Sequence, residues 1–242
     1  MTYCVGLKLN AGLVLLSDTR TNAGLDNISS YRKTFVFEEP GERAIAIMTA
    51  GSLSVTQTAI ARLQEAIEDD QATETSSIML APSMLAVADI IGDVLARTRA
   101  QIAHQCRDLN QNQASASMIV AGQRIGGRPR MFLIYPQGNH IEATQDTPYL
   151  QIGEHKYGKP ILDRVVTPET GLDDAKKAVL LSMDSTMRSN LSVGMPLDLT
   201  VIEADALRVT ERRRILDGDT QFTAMSQAWS AALRDSFVKV TL

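Results

Sequence analysis

The sequence predicts an α+β fold in which two antiparallel sheets pack together and helices cover both outer faces. Three observations carry this. Residues 2–9 alternate, with Tyr3, Val5, Leu7 and Leu9 on one face, and a second apolar run from Leu13 to Ser17 follows the turn-like Asn10-Ala11-Gly12; together they read as a β-hairpin. At Ser54 the apolar period changes from two to the helical value. Beyond it, blocks of strands alternate with pairs of helices, an order that suits helices laid on the outside of two packed sheets.

In order along the chain, residues 18–31 have no periodicity and carry Asn22, Gly24, Asp26 and Asn27, so they read as a loop holding short extended pieces. Thr34–Phe37 is a strand, stopped by the turn Glu38-Glu39-Pro40-Gly41-Glu42, and Ala44–Thr49 is the next, broken by Ala50-Gly51. Val55, Ala59, Leu63, Ala66 and Ile67 fall at helical spacing within Ser54–Asp69, with Ser54 as the N-cap. Residues 70–81 connect to a second helix that opens with Pro82 in its first turn. It runs through Leu85, Ala88, Ile91, Val94 and Leu95 towards Ile102 or Cys106 as the longest helix, and Asn110–Gln113 ends it. Ser117–Ala121, Met131–Tyr135 and His140–Ala143 are strands separated by Gly- and Pro-containing turns, and Tyr149–Ile152 is a short fourth. Tyr157–Val165 and Leu172–Ser189 are helices, and Leu197–Glu203 with Leu207–Arg213 is a closing hairpin. Phe222–Phe237 is a last amphipathic helix with Met225, Trp229, Leu233 and Phe237 along one face.

A length of 242 residues fits one domain over 1–242 and is enough to bury a substantial core. The net charge of −4 and pI near 5.4 leave no electrostatic footprint for nucleic acid. Two cysteines, Cys4 and Cys106, make neither a disulfide framework nor a metal pattern, and a reducing cytoplasm is the simplest compartment. No apolar run approaches a membrane span. The N-terminus, interrupted by Lys8 and Asn10, lacks the layout of a signal peptide, so the mature chain is expected to lose at most Met1. His104, His140 and His155 show no ligand spacing, so no metal or other cofactor is expected. Gly122-Gln123-Arg124-Ile125-Gly126-Gly127 leads into a strand rather than a helix and is no phosphate loop.

The chemistry gathers in the first thirty-three residues. Thr2 follows Met1, and its small side chain lets an aminopeptidase remove that methionine. A hydroxyl and a free α-amine would then share one residue. An α-amine titrates at about 7.7–8 and accepts a proton near neutrality, which is what a hydroxyl needs to become a nucleophile. Lys33 would lower the amine's proton affinity through its charge, and Asp18 would hold Lys33 in place.

Thr2-x-x-Val5-Gly6 opening a strand, Ser17-Asp18-x-Arg20-x-x-Ala23-Gly24, a lysine before an apolar run, and Thr49-Ala50-Gly51-Ser52 resemble a proteasome β-subunit. The longer string Met1-Thr2-Tyr3-Cys4-Val5-Gly6, with Ser17 to Gly24 and Asp26-Asn27-Ile28-Ser29, resembles more closely still the bacterial Anbu (ancestral β-subunit) relatives. The match is dense to about Val55 and thins to a pattern beyond it.

The resemblance implies a four-layer αββα sandwich of the N-terminal-nucleophile hydrolase type. It implies attack by Thr2 on a peptide carbonyl, an acyl-enzyme ester and hydrolysis by water, with the Thr2 amine carrying the proton. Lys33 is the implied cation and Asp18 its holder. Proteasome β-subunits often carry Lys-Lys with the second catalytic; gap-free counting puts Thr34 there, and a one-residue loop difference restores Lys33, the only lysine between Lys8 and Lys156. Gly51 would supply an oxyanion N–H. Thr21 and Asn22 with Gly51–Leu53 would form edges for a substrate strand, and Thr49 and Leu53 would line an uncharged pocket unless Arg32 reaches it.

Arg20, Glu154, Asn190 and Ser192 surround these candidates. Arg20 reads as a brace for its loop or a subunit contact. The family's Ser-Gly-Gly turn corresponds to Ile152-Gly153-Glu154-His155, with Glu154 in place of the serine. Its Asp-x-x-Ser/Thr-Gly loop corresponds to Asn190-Leu191-Ser192-Val193-Gly194, with Asn190 in place of the aspartate and Ser192 shifted by one.

The favoured reading is a cytosolic threonine-type peptidase acting on peptides or unfolded protein inside a homo-oligomeric ring or stack. The 54–69 and 82–106 helices are candidate ring contacts, and a partner ATPase is allowed for, though nothing in the chain signals one. The altered Glu154 and Asn190 motivate a second reading, an amidase or acyl-transfer enzyme on small amides or peptide conjugates. Retention of Met1 would instead leave a catalytically silent ring scaffold.

Overall fold

The structure, a computed structural model, describes residues 2–22, 28–105 and 114–241. The chain opens with the hairpin β1 (Tyr3–Leu9) and β2 (Gly12–Asp18), in which Cys4 faces Ser17 and Leu9 faces Gly12. A ribbon of β3 (Arg20–Asn22) and β4 (Ile28–Ser30) follows. The loop expected over 18–31 therefore holds two short strands; its Gly24, Asp26 and Asn27 lie outside the described residues, as do Met1, Cys106 and the expected helix end at Asn110–Gln113.

Next come β5 (Thr34–Glu39), β6 (Arg43–Gly51), the helices α1 (Leu53–Glu68) and α2 (Met84–Gln105), and the strands β7 (Ala116–Arg124), β8 (Arg130–Ile134), β9 (His140–Glu142) and β10 (Tyr149–Gly153). The chain then forms α3 (Lys159–Val165), α4 (Leu172–Ser189), β11 (Leu197–Glu203), β12 (Glu211–Ile215) and α5 (Thr220–Lys239). One antiparallel sheet has the order β10-β1-β2-β11-β12, and the other β5-β6-β7-β8-β9.

Three apolar layers bind these elements into the αββα sandwich. Tyr3, Val5, Leu7, Val14 and Leu16 pack on Leu162 of α3 and Val179 and Met183 of α4. Their neighbours Cys4, Leu13 and Leu15 point the other way, onto Ala44, Ala46, Met48, Ile119 and Met131 of the second sheet. Ile45, Ile47, Val120 and Phe132 turn outward beneath α1 and α2. The alternation in residues 2–9 thus marks one of two buried faces, because successive strand residues point to opposite sides and both sides here meet a packed layer.

Element ends depart from expectation where local hydrogen bonding decides them. β6 runs through Gly51, since Gly51 pairs with Ala116 and the Ser52 amide continues the ladder to Ser115 O at 2.9 Å. Ser52, not Ser54, takes the N-cap position of α1. Pro82 precedes α2, and Ser83 caps it by accepting the Ala86 amide at 3.1 Å. The closing strand starts at Glu211 rather than Leu207, because Asp205 and Leu207 adopt φ of 64° and 48°, a turn conformation. The apolar stripe of α5 leaves the body after Trp229: Leu233 is 51% and Phe237 81% exposed. Among the described residues, no helix is long and apolar enough to cross a membrane.

Leu15→Ala tests the inter-sheet layer, since Leu15 is wholly buried there. Expected is a loss of about 2–5 kcal/mol on denaturant unfolding; a loss under about 1 kcal/mol would show that the two sheets are not closely packed at this point.

Candidate active site

Asp18 ends β2 with no solvent exposure. Its Oδ1 accepts the Tyr3 amide at 3.0 Å and Lys33 Nζ at 2.7 Å, and its Oδ2 accepts the Gly194 amide at 3.4 Å. Burial pushes the Asp18 carboxyl above the usual carboxylate range; the Lys33 ammonium and the two amides pull against that. Lys33 Nζ also donates to Arg20 O at 2.6 Å, so three elements of the fold converge on one ion pair.

Lys33 lies one residue before β5, and its carbonyl accepts the Thr49 amide at 2.9 Å, which ties it to β6. The neighbouring Thr34 turns away: its hydroxyl is 2.7 Å from Ser17 Oγ, a buried link between the two sheets. Side chains at adjacent extended positions point oppositely, so with Thr34 committed to Ser17, Lys33 is the one directed to Asp18.

Thr2 and Lys33 line one cleft of about 540 Å³. Thr21, Thr49, Gly51, Leu53 and Glu154 line it too. Gly51 has a φ of 108°, and a Cβ there would fall 2.4 Å from Ser115 O, so only glycine brings this backbone to the cleft edge. Gly153, at φ 82°, is the counterpart across the cleft: a Cβ would fall 1.9 Å from Thr2 O. The Glu154 amide donates to that same Thr2 carbonyl at 2.7 Å.

Arg32 reaches the cleft, so its wall is not uncharged. Asn22 ends β3, and only its backbone is described. Asn190 and Ser192 do not line the cleft; Asn190 meets it through Glu154, donating from Nδ2 to Oε2 at 3.0 Å, while its Oδ1 accepts the Ser192 amide at 2.9 Å. Arg20 lines a separate cleft of about 400 Å³ with Arg188 and Asp219, and its guanidinium holds Leu191 O at 3.0 Å. That bond ties Arg20 to the 190–194 loop, whose Gly194 amide reaches Asp18.

Phe35, Thr56 and Gln57 also line the cleft and were not singled out from sequence. Leu53, Thr56 and Gln57 lie at i, i+3 and i+4 of one helix, a spacing that marks a shared face. Cys4 beneath Thr49 is no rival nucleophile, because burial pushes its thiol up and keeps it protonated. The Tyr3 hydroxyl, pushed up to about 12 by burial, is held between Ser182 and Gln151 at 2.6 Å each and anchors the start of β1 to α4 and β10.

Two packed antiparallel sheets between helical layers define an N-terminal-nucleophile hydrolase fold. The proteasome subunit family matches residues 2–202, and the chain belongs to that family. It is similar over its full length to Anbu structures. An Anbu variant from Hyphomicrobium sp. strain MC1 is 45% identical over 100% of this chain and 99% of its own, with a TM-score of 0.93. Anbu from Yersinia bercovieri is 41% identical over 99% and 98%, with a TM-score of 0.92. Anbu from Pseudomonas aeruginosa, solved as a helical assembly, is 44% identical over 99% and 97%, with a TM-score of 0.92.

Lys33→Met strands a buried carboxylate, with side-chain exposures of 6% and 0% for Lys33 and Asp18. The expected loss is about 3–5 kcal/mol. Adding Asp18→Asn to it should recover part of the loss, read by chemical denaturation of the two single variants and the double. Strict additivity of the two single losses would show that the pair is not coupled.

Proposed function

We propose that the chain is a self-compartmentalising threonine-type peptidase that hydrolyses peptide bonds through an acyl-enzyme on Thr2 after removal of Met1. The observation that carries this is the shared Asp18 Oδ1, which accepts both the amide just after Thr2 and the Lys33 ammonium. The nucleophile's backbone and the cation are thereby referenced to a single oxygen.

In this reading Thr2 Oγ attacks the substrate carbonyl carbon while its proton passes to the Thr2 α-amine. The carbonyl oxygen becomes an oxyanion facing the Gly51 backbone N–H, a donor worth about 3–4 kcal/mol in such sites. The C–N bond then breaks, the α-amine returns the proton to the leaving nitrogen, and an ester remains on Thr2. Water attacks that ester, giving a proton to the amine, and Thr2 Oγ takes it back as the acid departs. The Lys33 charge keeps the amine neutral between these transfers. Thr21 and Gly51 would pair with an extended substrate through its main chain, a mode that binds unfolded segments with little sequence demand.

The helical assembly described for the Pseudomonas aeruginosa relative supports a homo-oligomeric ring or stack here. Enclosure of the sites would restrict a nonspecific nucleophile to chains that enter unfolded. A second reading, an amidase on small amides, is favoured by one observation: a carboxylate, Glu154, stands in the cleft where the family pattern has a serine.

The intact mass of active protein is expected to lack Met1; retention would block Thr2. Thr2→Ala is expected to assemble normally and to lose labelling by a hydroxyl-directed covalent inhibitor, with turnover down by on the order of 10³-fold or more. Unchanged labelling of that variant would reject Thr2. Turnover of γ-glutamyl and other small amides with none of a fluorogenic peptide panel would replace the peptidase reading by the amidase one.

A further inference from the structure

Thr2 stands between two walls of its cleft. One comes from β6 and α1, with Thr49, Gly51 and Leu53; the other is the end of β10, with Gly153 and Glu154. The second wall touches the nucleophile's own backbone, through the Glu154 amide on Thr2 O at 2.7 Å. The Glu154 side chain therefore starts beside Thr2, and it lines the cleft half-buried.

Its carboxylate is oriented but not neutralised. Oε2 accepts Asn190 Nδ2 at 3.0 Å, and the Asn190 amide group is itself set by Oδ1 accepting the Ser192 amide at 2.9 Å. Among the described residues no Lys, Arg or His pairs with Glu154. Of the two cations lining the cleft, Lys33 is engaged by Asp18 and Arg20 O, and Arg32 makes no ion pair with Glu154. A carboxylate held by a neutral amide at the edge of an open cleft keeps its attraction for a cation that arrives with a ligand.

We propose that Glu154 selects substrates carrying a lysine or arginine as the first residue after the cut. The inference rests on the threonine-peptidase reading. There the carbonyl oxygen faces Gly51 and the side chain before the cut faces Thr49 and Leu53. The amine half of the substrate then extends past Thr2 to the opposite wall, where Glu154 is the charged group. The same carboxylate disfavours an acidic residue at that position. For a partly exposed pair and its like-charge reverse, the preference is roughly threefold over alanine and about tenfold over glutamate in kcat/KM.

The test uses the full-length protein and internally quenched peptides with one acyl half and lysine, alanine or glutamate after the cut. Wild type is expected to rank lysine over alanine over glutamate, with the ratios narrowing as salt is raised. Glu154→Gln, which can keep the Asn190 contact, is expected to level the three; Glu154→Lys reverses the order; and Glu154→Asp retains it. A wild type that cleaves all three equally, or ratios indifferent to both salt and Glu154→Gln, overturns the proposal. The salt series on wild type decides the matter even if a variant fails to fold. Labelling by the hydroxyl-directed inhibitor is run alongside. Labelled wild type without a charge preference rejects the role of Glu154 and leaves the threonine reading standing, whereas wild type that neither labels nor cleaves rejects both.

Discussion

The buried pair of Asp18 and Lys33 sets the geometry of everything near Thr2. Burying two charges is expensive, and an ion pair offsets that only with good geometry and further hydrogen bonds. Here the further bonds are present: Tyr3 and Gly194 amides on the carboxylate and Arg20 O on the ammonium. Each comes from a different stretch of chain, so the pair closes only when β1, β2, the 190–194 loop and the approach to β5 are all in register. A one-residue slip of β1 would turn the Tyr3 amide away and exchange its two buried faces. The ion pair is weak evidence for stability by itself, but it ties correct register to an assembled site.

The sheets are what make such a site buildable. Asp18 sits on one sheet and Lys33 leads into the other, and the Ser17–Thr34 bond at 2.7 Å crosses the same gap one residue along. The two side-chain contacts are paired, one polar and structural, the other charged and facing the cleft. Thr34, at the place that gap-free counting along the lysine motif selects, serves the inter-sheet link, and Lys33 is the residue paired with Asp18.

Much of this was legible in the sequence, and for identifiable reasons. Strand and helix periods are clear in α4 and β11, whose bounds match the structure, because apolar spacing dominates there. Helix starts at Ser52 and Ser83 were missed where several capable residues stand within three positions, so that only backbone geometry chooses among them. The start of the closing strand is not legible because a run of apolar and basic residues hides two positive-φ positions at Asp205 and Leu207. The pairing of Asp18 with Lys33 is legible because both lie within one local stretch that carries a family pattern. The contact of Glu154 with Asn190, Arg32 at the cleft and the α1 face were not, since each depends on packing between segments distant in the chain.

The Glu154–Asn190 contact joins the two positions at which the chain departs from the family motifs it resembles. In the family motifs that the sequence resembles, a serine stands at the position of Glu154 and an aspartate at that of Asn190. This chain joins the two positions by a hydrogen bond at 3.0 Å, with the carboxylate on the β10 side and the neutral amide on the loop. Loss of the acid altogether would leave the loop without charge, and two acids would repel across the contact. The arrangement found avoids both and places a negative charge in the lining of the cleft.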